Sequence, residues 1–410
     1  MHRGRTPVPR CVPKPESRAE TRISRDASGC LTMAKDEESF GELPQALVED
    51  VLNQSLGMAG ILRENLTTLK EHVGEIRGKI GRIDTDREIA ASTVPTSCGI
   101  DGSYIVERLL STDLAALAVL AVEGLTPPSE KRHWPQPRHL ARLYSISHDE
   151  STQQMMRGTM MCHELGMARQ APHDVVMLDW GFKTPVIYLN NATQNYERSL
   201  SPALKAEFRR ELGPALQTLR EVTAGERSDR SYVGLPKYST VRELSERYGL
   251  NSPYDDRTLA SLVLRPGEYL GPISLAASEE LHIQLQGSIL SGANDLTQLR
   301  DEAIRAVNSG YVVYYKPRQY LPAFRLEISA RVAKNRSILG TVLRGVEFQC
   351  AAPGIFEPFP LYLADRMVKH LSTAFPAFLQ SVTHEMATGY AGDLGEIFLT
   401  MHSYRSEGGR

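Results

Sequence analysis

Cysteine is scarce in these 410 residues: there are five, Cys11, Cys30, Cys98, Cys162 and Cys350, an odd number without a CxxC pair. That excludes a disulfide framework and a zinc ribbon, and it fits a reducing compartment, the cytoplasm. Long apolar runs are missing as well. The longest, Leu114 to Val122, reaches about half of the ~18 residues a bilayer crossing needs, so no transmembrane helix and no membrane partner are expected. Neither sign of charge dominates, with 47 Lys+Arg against 49 Asp+Glu and a net charge of -2. Residues 1–32 take seven of the basic and three of the acidic residues, leaving the body at -6. Nucleic-acid binding through bulk charge is therefore unsupported and would have to rest on local patches. Signature loops are absent too: there is no GxGxxG after a strand, no GxxxxGK[ST] and no GxSxG, and His163-Glu164 lacks the second histidine of HExxH.

The composition that remains, 41% hydrophobic and 23% charged, is that of a soluble globular protein of two to three domains or one large decorated one. Pro7, Pro9, Pro13 and Pro15 among scattered arginines, without an apolar h-region, make residues 1–35 a disordered tail rather than a secretory signal. Glu16, Glu20 and Asp26 count against an organellar targeting peptide, and Met33 is an alternative start. Over 43–90 the apolar residues, among them Leu62, Leu66, Leu69, Val73, Ile76 and Ile80, step by four and three. This spacing predicts a long helical arm, either packed on its own domain or pairing with a partner. Gly57, Gly60, Gly74 and Gly78 weaken it as a single rod.

Beyond the arm, Gly99 to Gly124 reads as a hairpin or meander, Leu140 to Ile146 and Val175 to Leu178 as strands, and residues 151–170 and 202–222 as helices. Strands at Tyr232 to Pro236, Tyr311 to Tyr315 and Ala323 to Ile328 follow, with short helices at Val241 to Tyr248 and Arg257 to Leu264 and a longer one at Asp295 to Asn308. Helices over 336–348, 361–379 and 393–401 close the chain. Strands first, helices inserted, then more strands indicate an α/β or α+β domain with a mixed sheet.

Two acids stand where strands end: Asp101, followed by Gly102, and Asp179, followed by Trp180-Gly181. Neighbouring carboxylates at strand ends, joined by one from a helix, form the oxygen-rich set that Mg²⁺ or Mn²⁺ prefers. Asp-Gly is also an ordinary turn, and either acid could simply solvate its strand end. Lys316, Arg318, Arg325, Arg331, Lys334 and Arg336 face only Glu327 across 316–336, with Tyr314, Tyr315, Tyr320 and Phe324 interleaved. Such a stretch can track phosphates and stack bases, or be strand core with an exposed basic face. Arg132, His133, Arg138 and His139 make a second, weaker patch. The histidines have no zinc-tetrad spacing, and Met155, Met156, Met160, Met161 and Met167 read as helix core.

Asp101-Gly102-Ser103-Tyr104 before a buried strand, then Arg157 and Glu164 on a helix leading into VVMLDWG, resembles the NurA nuclease family, the DNA-end-processing partner of the HerA translocase. YVGLPK (Tyr232 to Lys237), DRTLASLVLRPG (Asp256 to Gly267), YYKPRQYLPAFRLEI (Tyr314 to Ile328) and PFPLYLAD (Pro358 to Asp365) agree with it in order. The resemblance implies an RNase H-like mixed β-sheet core flanked by helices, with the long N-terminal helix ahead of a nuclease domain over 95–405. It implies a homodimer, a Mn²⁺-dependent nuclease (Mg²⁺ the alternative) acting on DNA in end resection and double-strand break repair, and a HerA-type hexameric ATPase as partner. Carried over by position, Asp101, Glu164, Asp179 and Asp365 would be the catalytic metal ligands. Lys237, at the end of its strand, would then neutralise a phosphate oxygen or be an ordinary solvated lysine, and Lys316, Arg318 and Arg325 of the basic stretch are the further candidates to meet the substrate. Three positions depart from the family pattern. Asp-Trp-Gly stands for Asp-Gly-Ser, Glu357 for a tyrosine and Asp365 for a histidine, although an aspartate still suits a hard cation. Loss of efficient metal chemistry through these changes would leave a scaffold subunit docked on the translocase.

Overall fold

The computed structural model describes residues 43–402 apart from 90, 92, 238–240, 251–253, 279, 286 and 291–294; the expected tail over 1–35 lies outside the described residues. The chain divides into two units, residues 1–68 and 69–410. The first contributes most of helix α1 (Gln45–Ile80), on which Leu47, Val51, Leu52, Leu56, Ile61, Leu62 and Leu66 are exposed. Four glycines do not interrupt this helix. Its C-terminal end belongs to the second unit, where Ile76 and Ile80 are buried in the main core and Arg77 pairs with Glu268 at 2.7 Å.

The second unit runs through β1 (Asp84–Thr85), β2 (Ser97–Arg108), β3 (Asp113–Glu123), β4 (Arg138–Ile146), α2 (Thr152–Gln170), β5 (Val175–Leu178), α3 (Lys183–Asn195), α4 (Pro202–Ala224) and β6 (Ser231–Gly234). It continues with α5 (Glu243–Arg247), α6 (Asp256–Val263), β7 (Glu268–Ser274), α7 (Leu296–Asn308), β8 (Tyr311–Tyr315), β9 (Phe324–Ile328), α8 (Ala330–Lys334), α9 (Arg336–Gln349), α10 (Phe359–Gly389) and α11 (Leu394–Thr400). Its strands form one mixed sheet in the order β1-β7-β8-β9-β6-β5-β2-β3-β4. β2, β5 and β6 are mutually parallel and every other pairing is antiparallel. The block β4-β3-β2-β5-β6, a meander joined to two parallel strands, is the RNase H-like core. No described helix is long and apolar enough to cross a membrane.

Alternation along the strands sorts side chains onto two faces. Val176 and Leu178 join α2, α3, α4 and α7 in one core, while Val175 and Met177 join α9 and the start of α10 in another. The apolar run in β3 is explained by the same geometry. Leu117, Val119 and Ala121 face the first core and Ala118 and Leu120 face α10, so the strand is covered on both sides. At Gly99 the start of α10 lies on the β2 backbone, where a Cβ would stand 2.6 Å from Leu361 N. That approach positions the second turn of α10 over the end of β5.

Several elements are not legible in the sequence, among them the short β1 and α8 and the longer α3 and β7. α3 begins KTPVIY, with β-branched residues and no side-chain cap, so its propensity is weak and packing against α2 decides it. β7 carries Gly271-Pro272 in mid-strand, where the register with β8 shifts between Leu270 and Ile273.

Candidate metal centre at the ends of the parallel strands

β2 and β5 run side by side with Ile100 opposite Leu178, and β5 and β6 with Leu178 opposite Gly234. Asp179 follows at the end of β5, whereas Asp101 does not close its strand as the sequence suggested: β2 runs on to Arg108 along β3, with Asp101 opposite Leu120, and only its pairing with β5 stops at Ile100, which leaves both carboxylates side by side toward α10. Lys237 follows on the same side, α10 supplies Asp365, and the loop before it supplies Glu357. One carboxylate oxygen each from Asp101, Asp179 and Asp365 lie within 4.8 Å of one another, the one such acidic group among the described residues. Glu164 comes from α2 across the sheet. Its Oε2 accepts from Trp180 Nε1 at 2.7 Å, and its Oε1 lies so close to Gly102 that a Cβ there would collide with it. Asp101, Glu164, Asp179, Lys237 and Asp365 line a cleft of about 400 Å³, with Trp180, Tyr188 and Lys369 also in its wall.

Charge is concentrated in this cleft. Burial, then the neighbouring Asp179, pushes Asp101 up to about 8, and burial with Asp101 nearby raises Glu164 well above the carboxylate range. Asp179 is pushed up to about 6 by burial, against the opposing pull of Lys237. Asp365 goes the other way: burial opposes its ionisation, but Lys237 and Lys369, the latter at 2.8 Å, hold it below the usual range. Lys237 Nζ lies 2.6 Å from Asp365 Oδ1, 3.1 Å from Asp179 Oδ2 and 3.5 Å from Glu357 Oε2. Burial disfavours that ammonium, yet the surrounding carboxylates raise it above an ordinary lysine. Asp179 Oδ1 is buried without a hydrogen-bond partner. An all-oxygen donor set that includes an orphaned carboxylate oxygen suits a hard divalent cation, so the residues present fit one.

The turn that carries Asp179 is held from behind. Glu327 on β9 accepts from Phe182 N at 2.6 Å, and a Cβ at Gly181 would stand 3.0 Å from its carboxylate. Arg325 donates from Nε to Glu327 at 2.9 Å and from Nη1 to Tyr314 OH at 2.6 Å; Tyr314 in turn donates to Asp256 at 2.8 Å. Arg325 is 4% exposed, so it has no face for a phosphate, and the sequence-based placement of this arginine on a substrate surface is corrected to a buried one. Alternation on β9 puts it inside, where Glu327 and Tyr314 satisfy it. Lys316 is half-buried and donates to Ser261 O at 2.6 Å, and Arg318 is paired with Glu347 at 2.9 Å beside a separate cleft that Arg87 and Arg344 also line. Neither lies in the acidic cleft. Sequence reasoning missed Trp180 and Lys369 as site residues. The Asp365-x₃-Lys369 spacing on a helix was a usable signal for the second of these.

The fold is an RNase H-like sheet, with acids converging where the parallel pairing of β2 and β5 ends. No family model and no curated protein matches the sequence. Among solved structures, the NurA nuclease from Sulfolobus solfataricus is similar at a TM-score of 0.56 and 12% identity, over 85% of this chain and 99% of that one. A NurA structure with manganese is similar at a TM-score of 0.50 and 12% identity, over 82% and 98% of the two chains. The fold of this chain is the NurA fold.

Proposed function

We propose that this chain is a divalent-metal-dependent deoxyribonuclease that hydrolyses phosphodiester bonds, with Mn²⁺ the preferred cation and Mg²⁺ the alternative. The observation that carries the reading is the convergence of Asp101, Asp179 and Asp365 within 4.8 Å, beside the C-terminal end of β5. In this reading those three hold the cation, with Glu164 completing the set from α2. When bound, the cation supplies Lewis-acid stabilisation of the phosphate and lowers the pKa of water to make the nucleophile. The chain's residues position and neutralise: Trp180 fixes Glu164, Glu327 fixes the Asp179 turn, and Lys237 offers positive charge to an anionic substrate. We assign the chain a role in DNA end resection and double-strand break repair, as a homodimer with a HerA-type hexameric ATPase. A docked scaffold without efficient cleavage is the second reading. Lys237, which already satisfies three of the acids, favours it.

The test is incubation of purified protein with linear double-stranded and single-stranded DNA plus Mn²⁺ or Mg²⁺. Cleavage that disappears in Asp101→Ala and Asp179→Ala is the expected result. DNA left intact by the wild-type chain, together with retained binding to a HerA-type ATPase, would select the scaffold.

A further inference from the structure

We propose that Lys237 is a built-in counter-cation, so that loading of a divalent ion is an exchange in which this ammonium leaves the acidic cluster and turns toward the phosphate of the substrate. The inference rests on the reading of the cleft as a metal centre. Its basis is position. Lys237 Nζ sits 2.6 Å from Asp365 and 3.1 Å from Asp179, and those two residues supply two of the three converging oxygens. A dication bound by the same two carboxylates would stand within a few ångströms of the ammonium, and two cations at that separation repel strongly inside a partly buried cleft. One of them has to move, and the lysine is built to do so. Its backbone carbonyl is pinned by Arg257 Nη1, whereas its side chain has four rotatable carbons and keeps 26% of its surface exposed. Asp365 does not depend on Lys237 alone, because Lys369 holds its other oxygen at 2.8 Å. Asp179 is already half-prepared, with Oδ2 on the lysine and Oδ1 buried and unpaired.

The consequence is an order of events. Without a divalent ion the lysine restrains mutual repulsion of the acids and lowers the apparent cation affinity by the fraction of time it occupies the cluster. With the ion bound, the displaced ammonium lies in the same cleft as an added anion ligand, so cation loading and substrate binding reinforce one another.

Mn²⁺ binding to the full chain without DNA, followed by electron paramagnetic resonance or calorimetry, tests this in the wild type, Lys237→Met and Lys237→Arg. If the cluster is free of the lysine about a tenth of the time, Lys237→Met binds Mn²⁺ about tenfold more tightly, while Lys237→Arg stays near wild type. The cation-free Lys237→Met protein melts at a lower temperature. A folded Lys237→Met variant with unchanged or weaker Mn²⁺ affinity overturns the exchange but leaves the metal centre standing. Absence of Mn²⁺ binding in all three overturns both. Should Lys237→Met fail to fold, amine acetylation of the wild type read by mass spectrometry decides: Mn²⁺ is expected to raise labelling of Lys237 relative to Lys369, and unchanged or reduced labelling refutes the proposal.

Discussion

Replacing Arg325 with methionine separates two opposite accounts of the basic stretch over 316–336. In the structure the guanidinium is 4% exposed and donates to Glu327 at 2.9 Å and Tyr314 OH at 2.6 Å, with Glu243 at 3.6 Å and Asp256 at 3.9 Å. Its loss leaves the Glu327 carboxylate, itself 6% exposed, with Phe182 N as its remaining partner. Removing one member of a buried pair costs roughly 3 to 5 kcal/mol. Methionine fills much of the volume, so packing adds little to this. Replacing Glu327 with methionine as well removes the uncompensated charge and leaves the Phe182 amide unpaired, a cost of roughly 1 to 3 kcal/mol. The double variant is therefore expected to be more stable than Arg325→Met by about 2 kcal/mol. Urea unfolding followed by circular dichroism measures both, provided the slope is unchanged. An Arg325→Met protein within about 0.5 kcal/mol of wild type, yet weakened in binding DNA, would refute the buried network and restore a surface role for this arginine.

Three further outcomes follow from the site and the core. Gly102→Ala drives a methyl into Glu164 Oε1 and within 2.9 Å of Met160 Cγ, and overpacking of this kind costs about 1 to 3 kcal/mol; Mn²⁺ affinity should fall with stability, read by calorimetry beside a urea melt. Trp180→Phe removes the indole donor to Glu164, so Mn²⁺-dependent cleavage should drop about 10- to 100-fold, and unchanged kinetics would show that Glu164 needs no fixing. His173 is fully buried, 3.5 Å from Glu123, and burial lowers its pKa from 6.5 to about 4. A depressed histidine contributes stability above pH 6.5 that is lost as pH falls to 4, on the order of 3 kcal/mol. His173→Phe should flatten that acid limb in melts taken across this window.

Much of the architecture was legible because its signals are local. The short apolar run VVML marked β5, whose residues the strand then divides between two cores, the run at 114–122 announced a buried strand, and the composition over 202–222 announced α4, whose first turn the Ser201 side chain caps. Asp179 was visible for the same reason, because it closes the apolar run of β5, but Asp101 closes an apolar run without closing its strand: β2 continues to Arg108 along β3, and only its pairing with β5 stops before Asp101. α3 and β7 escaped because packing and pairing override weak or contrary local preference.

The sequence by itself determined where apolar runs lie and which acids close them, since each of these depends on neighbours a few positions away. Tertiary structure alone decided which of the cations meet them. Lys237 reaches Asp365 across 128 positions, and Arg325 turns inward to Glu327 while Lys316 and Arg318 find partners elsewhere. Composition cannot separate these four basic residues. Strand register and the seating of α10 on Gly99 can, because they fix which side of the sheet each side chain leaves from and what charge it encounters there.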